Sequence, residues 1–335
     1  MWTRLALAAL LIAGVAGSAL AGTGQPSPWQ HDLQGAATPV MEWIHSFHLV
    51  VTVIITVITV FVLVLLGIVI VRFNERANPT PSQVTHNTML EVAWTVVPII
   101  ILVVIAIPSF KLLFFQYSYP PPDLTIKATG KAWYWEHEYP DYAGFSVTST
   151  IVRDEDVLRA ELGEAEFNKR YPASLQGLER AKRTYIDAQP LWAKQGKVRQ
   201  LSVDNEIAVP VNKVVHVLIT SADVIHSWTI PSFGSKADAV PGRVSATWFK
   251  PTKTGIFYGQ CSELCGKDHS AMPISIRVMT QANFDAWSGA LKAAKTERDS
   301  KKRRELINQA KEIMQKAALE DQRRKGMKVA AGAVR

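Results

Sequence analysis

Two long apolar stretches constrain this chain more than any other feature. From Ile44 to Val71 the sequence is interrupted only by His45, Ser46, His48, Gly67 and three Thr, and a second stretch runs from Val92 to Phe115. Each exceeds the roughly 20 residues that an α-helix needs to cross a bilayer, so transmembrane helices are expected at 44–71 and 92–115. The connection between them carries Arg72 and Arg76, whereas 22–43 holds no Lys or Arg. Cationic loops stay on the cytoplasmic side, which puts 72–91 in the cytoplasm and both flanks outside. Pro98 and Pro108 inside the second stretch are tolerable where neighbouring helices accommodate a kink. At the start, Met1-Trp-Thr-Arg4, an apolar run to Ala16 and Ser18-Ala19-Leu20-Ala21 match a secretory signal over 1–21 with an A-x-A cleavage site. An uncleaved anchor is the alternative.

Beyond Pro120-Pro121-Pro122 the character changes. Leu124–Ala128, Phe145–Val152, Val214–Thr220, Val244–Phe249, Gly255–Gly259 and Ile274–Met279 are short, rich in β-branched or aromatic residues and bounded by turn residues, the signature of strands. An all-β sandwich or Greek-key barrel over 116–285 follows. Residues 154–195 interrupt it with charged, Ala- and Leu-rich sequence expected to form surface helices, and 286–335 reads as a basic helical or disordered tail. That tail holds the charge: residues 291–335 carry 14 Lys/Arg against 6 Asp/Glu, accounting for the whole net charge of +8, while the remaining cations and anions cancel. A uniformly basic nucleic-acid binder is excluded. Attraction of the tail to anionic lipid headgroups is its functional reading, and a solvated extension the plainer one.

The chemistry concentrates in Cys261-Ser-Glu-Leu-Cys265-Gly-Lys-Asp-His269-Ser-Ala-Met272, with a distant partner in Asp223-Val-Ile-His226-Ser-Trp228. Thiolates and thioethers favour copper, and two His with a Cys and a weak Met make an electron-transfer copper site. One Cys more than a single copper needs is present. If both sulfurs bridge two coppers, each metal takes one His, and Met272 with a nearby carbonyl completes the set. Two readings compete: a disulfide, ordinary outside the cytoplasm, and a Cys2His2 zinc site, which has no use for Met272. The Glu263 carbonyl is placed to ligate copper, and its side chain, pointing the other way, either reaches a hard cation such as Mg2+ or is a solvated loop carboxylate. Trp133-Tyr134-Trp135 is expected on a strand, Trp133 and Trp135 sharing one face, either as core or as a docking patch above the metals. Glu91, at the cytoplasmic end of the second apolar stretch, is a functional candidate as an ionisable group at a membrane boundary. His45, His48, His86, His137 and His216 have no second ligand at useful spacing.

These residues resemble subunit II of the haem-copper cytochrome c oxidases over roughly residues 40–285. The resemblance is carried by Leu90-Glu91-Val-Ala-Trp94-Thr95-Val-Val-Pro98, Trp133-Tyr134-Trp135, Val203-Asp204-Asn205, Asp223-Val-Ile-His226-Ser-Trp228, Asp238-Ala-Val-Pro-Gly-Arg243 and Tyr258-Gly-Gln-Cys261-Ser-Glu-Leu-Cys265. It implies a two-helix anchor in the bacterial inner membrane and a periplasmic cupredoxin domain with a binuclear copper A centre. It implies that His226, Cys261, Cys265, His269, Met272 and the Glu263 carbonyl ligate copper, and that the Glu263 side chain touches a Mg2+ shared with subunit I. Trp133 matches the residue through which electrons enter, and Glu91 the acid at the mouth of a proton channel. The implied partners are subunits I and III and a cytochrome c donor. The acids expected around the docking face are diluted, since Ala222 precedes Asp223 and Ala143-Gly144 follow Tyr142. The insertion at 154–195 and the basic tail lie outside the pattern. Two rivals remain at this stage: a copper-free structural subunit of the quinol-oxidase type, whose signature is loss of the ligands, and a membrane-anchored carrier of a single copper or zinc ion. The absence of any C-x-x-C-H excludes a fused c-type haem.

Overall fold

The computed structural model describes residues 24–332, with side chains to Arg324; the expected signal segment at 1–21 lies outside the described residues. The chain divides into a helical unit, 40–118, and a β-rich unit formed by the segments before and after it.

In the helical unit, α1 (Pro39–Arg72) and α2 (Thr88–Gln116) have 34 and 29 residues, lengths of about 51 and 44 Å at 1.5 Å per residue. Both are long and apolar enough to cross a membrane. The hydroxyls of Thr56 and Thr59 donate to the carbonyls of Thr52 and Ile55, each 2.7 Å away, so these polar groups are satisfied within the helix itself. Asn87 caps α2 by accepting from the Leu90 N–H at 3.1 Å, which fixes the helix start before Glu91. Trp43 and Phe115 meet with ring centroids 5.2 Å apart, bringing the start of α1 beside the end of α2.

The β-rich unit has ten strands among its described residues: β1 (Leu124–Lys131), β2 (Tyr134–Tyr139), β3 (Phe145–Ser149), β4 (Ile207–Pro210), β5 (Val215–Ser221), β6 (His226–Ile230), β7 (Ser235–Ala239), β8 (Ser245–Phe249), β9 (Gly255–Gln260) and β10 (Pro273–Met279). They form a five-stranded sheet ordered β3-β2-β1-β5-β8, a three-stranded sheet β4-β10-β9 and the ribbon β6-β7. Pairing is antiparallel except between β1 and β5 and between β4 and β10. Alternation supplies the core: Leu124, Ile126 and Ala128 of β1 and Val215, Val217 and Ile219 of β5 point inward against Phe257, Ile274, Ile276 and Val278. The ribbon closes tightly on β9. A Cβ on Gly259 would stand 1.7 Å from the Thr229 carbonyl oxygen, so only glycine permits this backbone contact.

Several expectations are revised. The strand expected across Trp133 is broken, because β1 ends at Lys131 and β2 begins at Tyr134, leaving Ala132 and Trp133 as the hairpin turn. Trp135 is fully buried and Trp133 is not, so the two do not share a face. The strand expected from Phe145 to Val152 stops at Ser149, beyond which Ile151 makes a single bridge to Val203. The strands β4, β6 and β7 were not anticipated. Residues 154–194 contain three helices, α3 (Asp154–Leu162), α4 (Glu164–Arg170) and α5 (Gly177–Lys194), around a small core of their own that includes Phe167, Tyr171 and Trp192. The tail is helical: α6 (Gln281–Thr296) and α7 (Ser300–Gly332). It packs on the domain through buried Ala310 and Ala317, and Asp321 reaches Arg277 of β10 at 3.7 Å.

His137, on the inward face of β2, is 1% exposed. Its Nε2 accepts from the Trp228 indole N–H at 3.2 Å, and burial pushes its pKa down to about 3. The unfolded chain protonates this histidine near its ordinary value of 6.5 and the folded chain only near 3, so stability falls as pH drops below 6.5, by about 1.4 kcal/mol per unit. His137→Gln keeps an acceptor for Trp228 without the titration. Its unfolding free energy, followed by tryptophan fluorescence at pH 7 and pH 4.5, should show an acid loss smaller than the wild type's by about 2.5 kcal/mol; an equal loss would place the acid sensitivity elsewhere.

Candidate metal centre

Two chain segments converge on one pocket. The turn after β5 delivers His226, the first residue of β6, and the connection from β9 to β10 delivers Cys261, Cys265, His269 and Met272. The donor atoms of His226, Cys261 and Cys265 all lie within 4.8 Å of one another, and all three residues are buried. The two sulfurs stand 3.8 Å apart as free thiols, well beyond the ~2.05 Å of a disulfide bond. His226 Nδ1 is 3.8 Å from the Cys261 sulfur and His269 Nδ1 is 3.5 Å from the Cys265 sulfur, so each imidazole faces a different thiol. The Cys261 thiol points at the Glu263 carbonyl, 3.3 Å away. Met272 is 1% exposed, and its carbonyl receives the Cys261 N–H at 3.0 Å, closing the base of the loop.

The donor chemistry favours a bound cation. Burial, then the adjoining Cys261 sulfur, pushes the Cys265 thiol up to about 12. Two thiolates at this separation in a low-dielectric pocket repel unless positive charge sits between them. Soft sulfur and imidazole donors suit copper, so the residues present fit a copper site.

His226 is fixed on two sides. A Cβ on Gly130 would come within 2.6 Å of its Cδ2, so the ring lies directly on the β1 backbone. Its Nε2–H donates to Asp223 Oδ1 at 2.8 Å, which leaves the Nδ1 lone pair aimed at the thiols. The other Asp223 oxygen accepts the Ala132 N–H at 2.6 Å. Although burial opposes it, the bonds from His226, Val224 and Ala132 hold the Asp223 carboxyl below its usual range. One carboxylate therefore ties the imidazole to the turn that carries Trp133. The half-buried Trp133 ring rests over Gly266, and its indole N–H donates to the Cys265 carbonyl at 3.1 Å. Sequence reasoning did not single out Asp223 for this role. Its position three residues before His226 was the available signal.

The remaining candidates are placed differently. The Glu263 side chain is exposed on the ligand loop. Glu91 lies in the first turn of α2 in the other unit, its carbonyl accepting the Thr95 hydroxyl at 2.9 Å.

Comparison with known proteins identifies the lineage. The family model described as the periplasmic domain of cytochrome c oxidase subunit II matches residues 124–189 and 179–279, and the model of that subunit's transmembrane domain matches 26–112. The chain belongs to the cytochrome c oxidase subunit II family. The "Probable cytochrome c oxidase subunit 2" of Rickettsia conorii is 43% identical over 263 residues, covering 78% of this chain and 72% of that protein. Cytochrome c oxidase subunit 2 of Cereibacter sphaeroides is 39% identical over 268 residues, 79% of this chain and 81% of the relative. Among solved structures, the periplasmic domain of subunit II from Bradyrhizobium japonicum is 44% identical, covering 52% of this chain and 96% of that one, with a TM-score of 0.38. Membership in this family makes the chain a membrane-anchored oxidase subunit with a periplasmic β domain.

Losing the partner that orients a ligating histidine typically weakens metal binding 10–100-fold. Asp223→Ala should therefore lower copper retention about tenfold or more in competition with a chelator, while Asp223→Asn, which keeps an oxygen for the Nε2–H, retains most of it. Equal retention in all three proteins would remove the orienting role.

Proposed function

We propose that this chain is the electron-transfer subunit of a haem-copper cytochrome c oxidase of the bacterial inner membrane, taking electrons from a cytochrome c and passing them to the catalytic subunit I, with subunit III as a further partner. The observation that carries the reading is the convergence of two free thiols, each faced by its own imidazole, in a buried pocket of the periplasmic domain. Cys261 and Cys265 would bridge a copper pair, His226 and His269 would each bind one metal, and Met272 with the Glu263 carbonyl would supply the weak outer ligands. When bound, that pair supplies one-electron redox chemistry with the charge shared over both metals and little change of geometry. The chain itself breaks no substrate bond. It shields His226, Cys261, Cys265 and Met272 from water by burial, holds the His226 tautomer through Asp223, and offers Trp133 as the contact between the surface and the Cys265 backbone. The exposed Glu263 carboxylate is suited to a Mg2+ ion shared with subunit I. Glu91, at the start of α2, is proposed as the acid at a proton-channel mouth. A copper-free structural subunit would have no need of this donor set.

The test is electron spin resonance of the copper-loaded full chain. An electron delocalised over a bridged pair gives more hyperfine lines than one copper nucleus, and Cys265→Ser should abolish the extra lines. A single-nucleus spectrum with one copper per chain, or a zinc-only site, would end this reading. In the assembled oxidase, Trp133→Ala should slow reduction by cytochrome c about tenfold or more, the scale on which a misplaced reacting group costs rate, while the copper spectrum stays intact. Unchanged rates would return Trp133 to a packing role.

A further inference from the structure

The surface around Trp133 is electrically balanced by cations of this same chain. Lys131 and Glu136, flanking the turn on the outward face of the hairpin, form an ion pair. The next rung repeats it, Lys127 lying 3.8 Å from Glu138. On the ligand loop, Asp268 stands 4.0 Å from Arg153, the residue that precedes α3 of the insertion. Asp223 is engaged by His226 and two backbone N–H groups, and Lys267 adds an exposed cation on the same loop. Such exposed pairs contribute little to stability, but they cancel the field that a charged visitor would feel beyond a Debye length of about 8–10 Å.

The exposed Glu263 carboxylate of the ligand loop is matched in number by the exposed Lys267, and the large side chains that stand out beside them are apolar. Val224 and Ile225, in the turn that Asp223 fastens to Ala132, are each 45% exposed, and Leu264, beside the Cys265 that receives the Trp133 indole bond, is 77% exposed. Solitary apolar residues on a surface mean little. These belong to the two loops that hold both the copper ligands and Trp133, and they have neutralised charges around them.

We infer that this copper domain receives its donor through an apolar, near-neutral mouth around Trp133, and that the partner it fits is an electron-carrying protein whose contact rim is apolar and uncharged rather than ringed with lysines. The inference rests on the proposed electron-transfer reading and specifies the partner's surface. The insertion thereby gains a role, because Arg153 supplies one of the cations that silence the mouth.

The experiment uses the intact oxidase and a lysine-ringed mitochondrial cytochrome c as reductant, with oxygen uptake followed from 20 to 200 mM salt. Electrostatic steering accelerates association by about 10–10³-fold and collapses with ionic strength, whereas a neutral mouth should change kcat/KM by less than about twofold over this range. Lys131→Gln with Arg153→Gln unmasks Glu136 and Asp268, and should raise kcat/KM several-fold at 20 mM salt and confer a salt dependence the wild type lacks. Ile225→Ser with Leu264→Ser should raise KM about fivefold or more through the lost apolar contact, with kcat and the copper spectrum unchanged. A steep salt dependence in the wild type, an unchanged KM in the apolar variant, or failure of that variant to assemble with subunit I would each overturn the inference while leaving the electron-transfer reading in place. Absence of any cytochrome oxidation by the copper-loaded complex would instead remove the underlying reading.

Discussion

The site depends on one close contact: the ring of His226 lies on bare backbone at Gly130. Any side chain there would push the imidazole off β1, and with it the Nδ1 atom that faces the thiols. The parallel register of β1 with β5, in which Gly130 stands opposite Ser221, sets where the chain turns before re-entering as β6. Gly259 makes the matching approach from the other side, admitting the Thr229 carbonyl against β9. Between these two glycines the ribbon β6-β7 is pressed into a gap that fixes His226 relative to Cys261, one residue beyond the end of β9. The metal donors are thus held by sheet backbones rather than by the loop alone, the arrangement that keeps a ligand set rigid.

Burial gives the site its chemistry. Taking two sulfurs out of water raises the cost of ionising them, and a cation offsets it. The same burial makes Asp223 consequential. As the carboxylate that meets both the imidazole and the Trp133 turn, it couples the position of a surface indole to that of a metal ligand.

Much of this was legible in the sequence. The apolar runs marked both long helices because nothing but a bilayer or a very large core suits such lengths, and the cysteine, histidine and methionine spacing announced soft-metal chemistry. What escaped was decided by tertiary contact. His226-Ser-Trp-Thr-Ile230 is only five residues long and opens on two polar ones, and it becomes a strand because β7 pairs with it and Gly259 lets it close on β9. Trp133 sits inside an aromatic run that alternation assigns to one strand, yet the hairpin between β1 and β2 turns there. His137 was dismissed for lack of a second ligand, and its burial beneath Trp228 depends on the inward face of β2 meeting β6. The basic tail read as solvated from its charge, since alanines at 310 and 317 are small enough to hide an apolar stripe within a polar helix.

The segment before the first membrane helix belongs to the β-rich unit: the Gly24 carbonyl accepts from Tyr258 N–H at 2.8 Å, Ala37 N–H donates to Ser232 at 2.9 Å, and Thr38 bonds Phe233 at 2.7 Å. Chain on both sides of the helical pair is therefore woven into one globule. During synthesis, the opening segment must wait while two helices and nearly all of the sheet emerge behind it before its partners exist. Completion of the electron-carrying domain is in this way a report that the intervening hairpin has already been made and threaded.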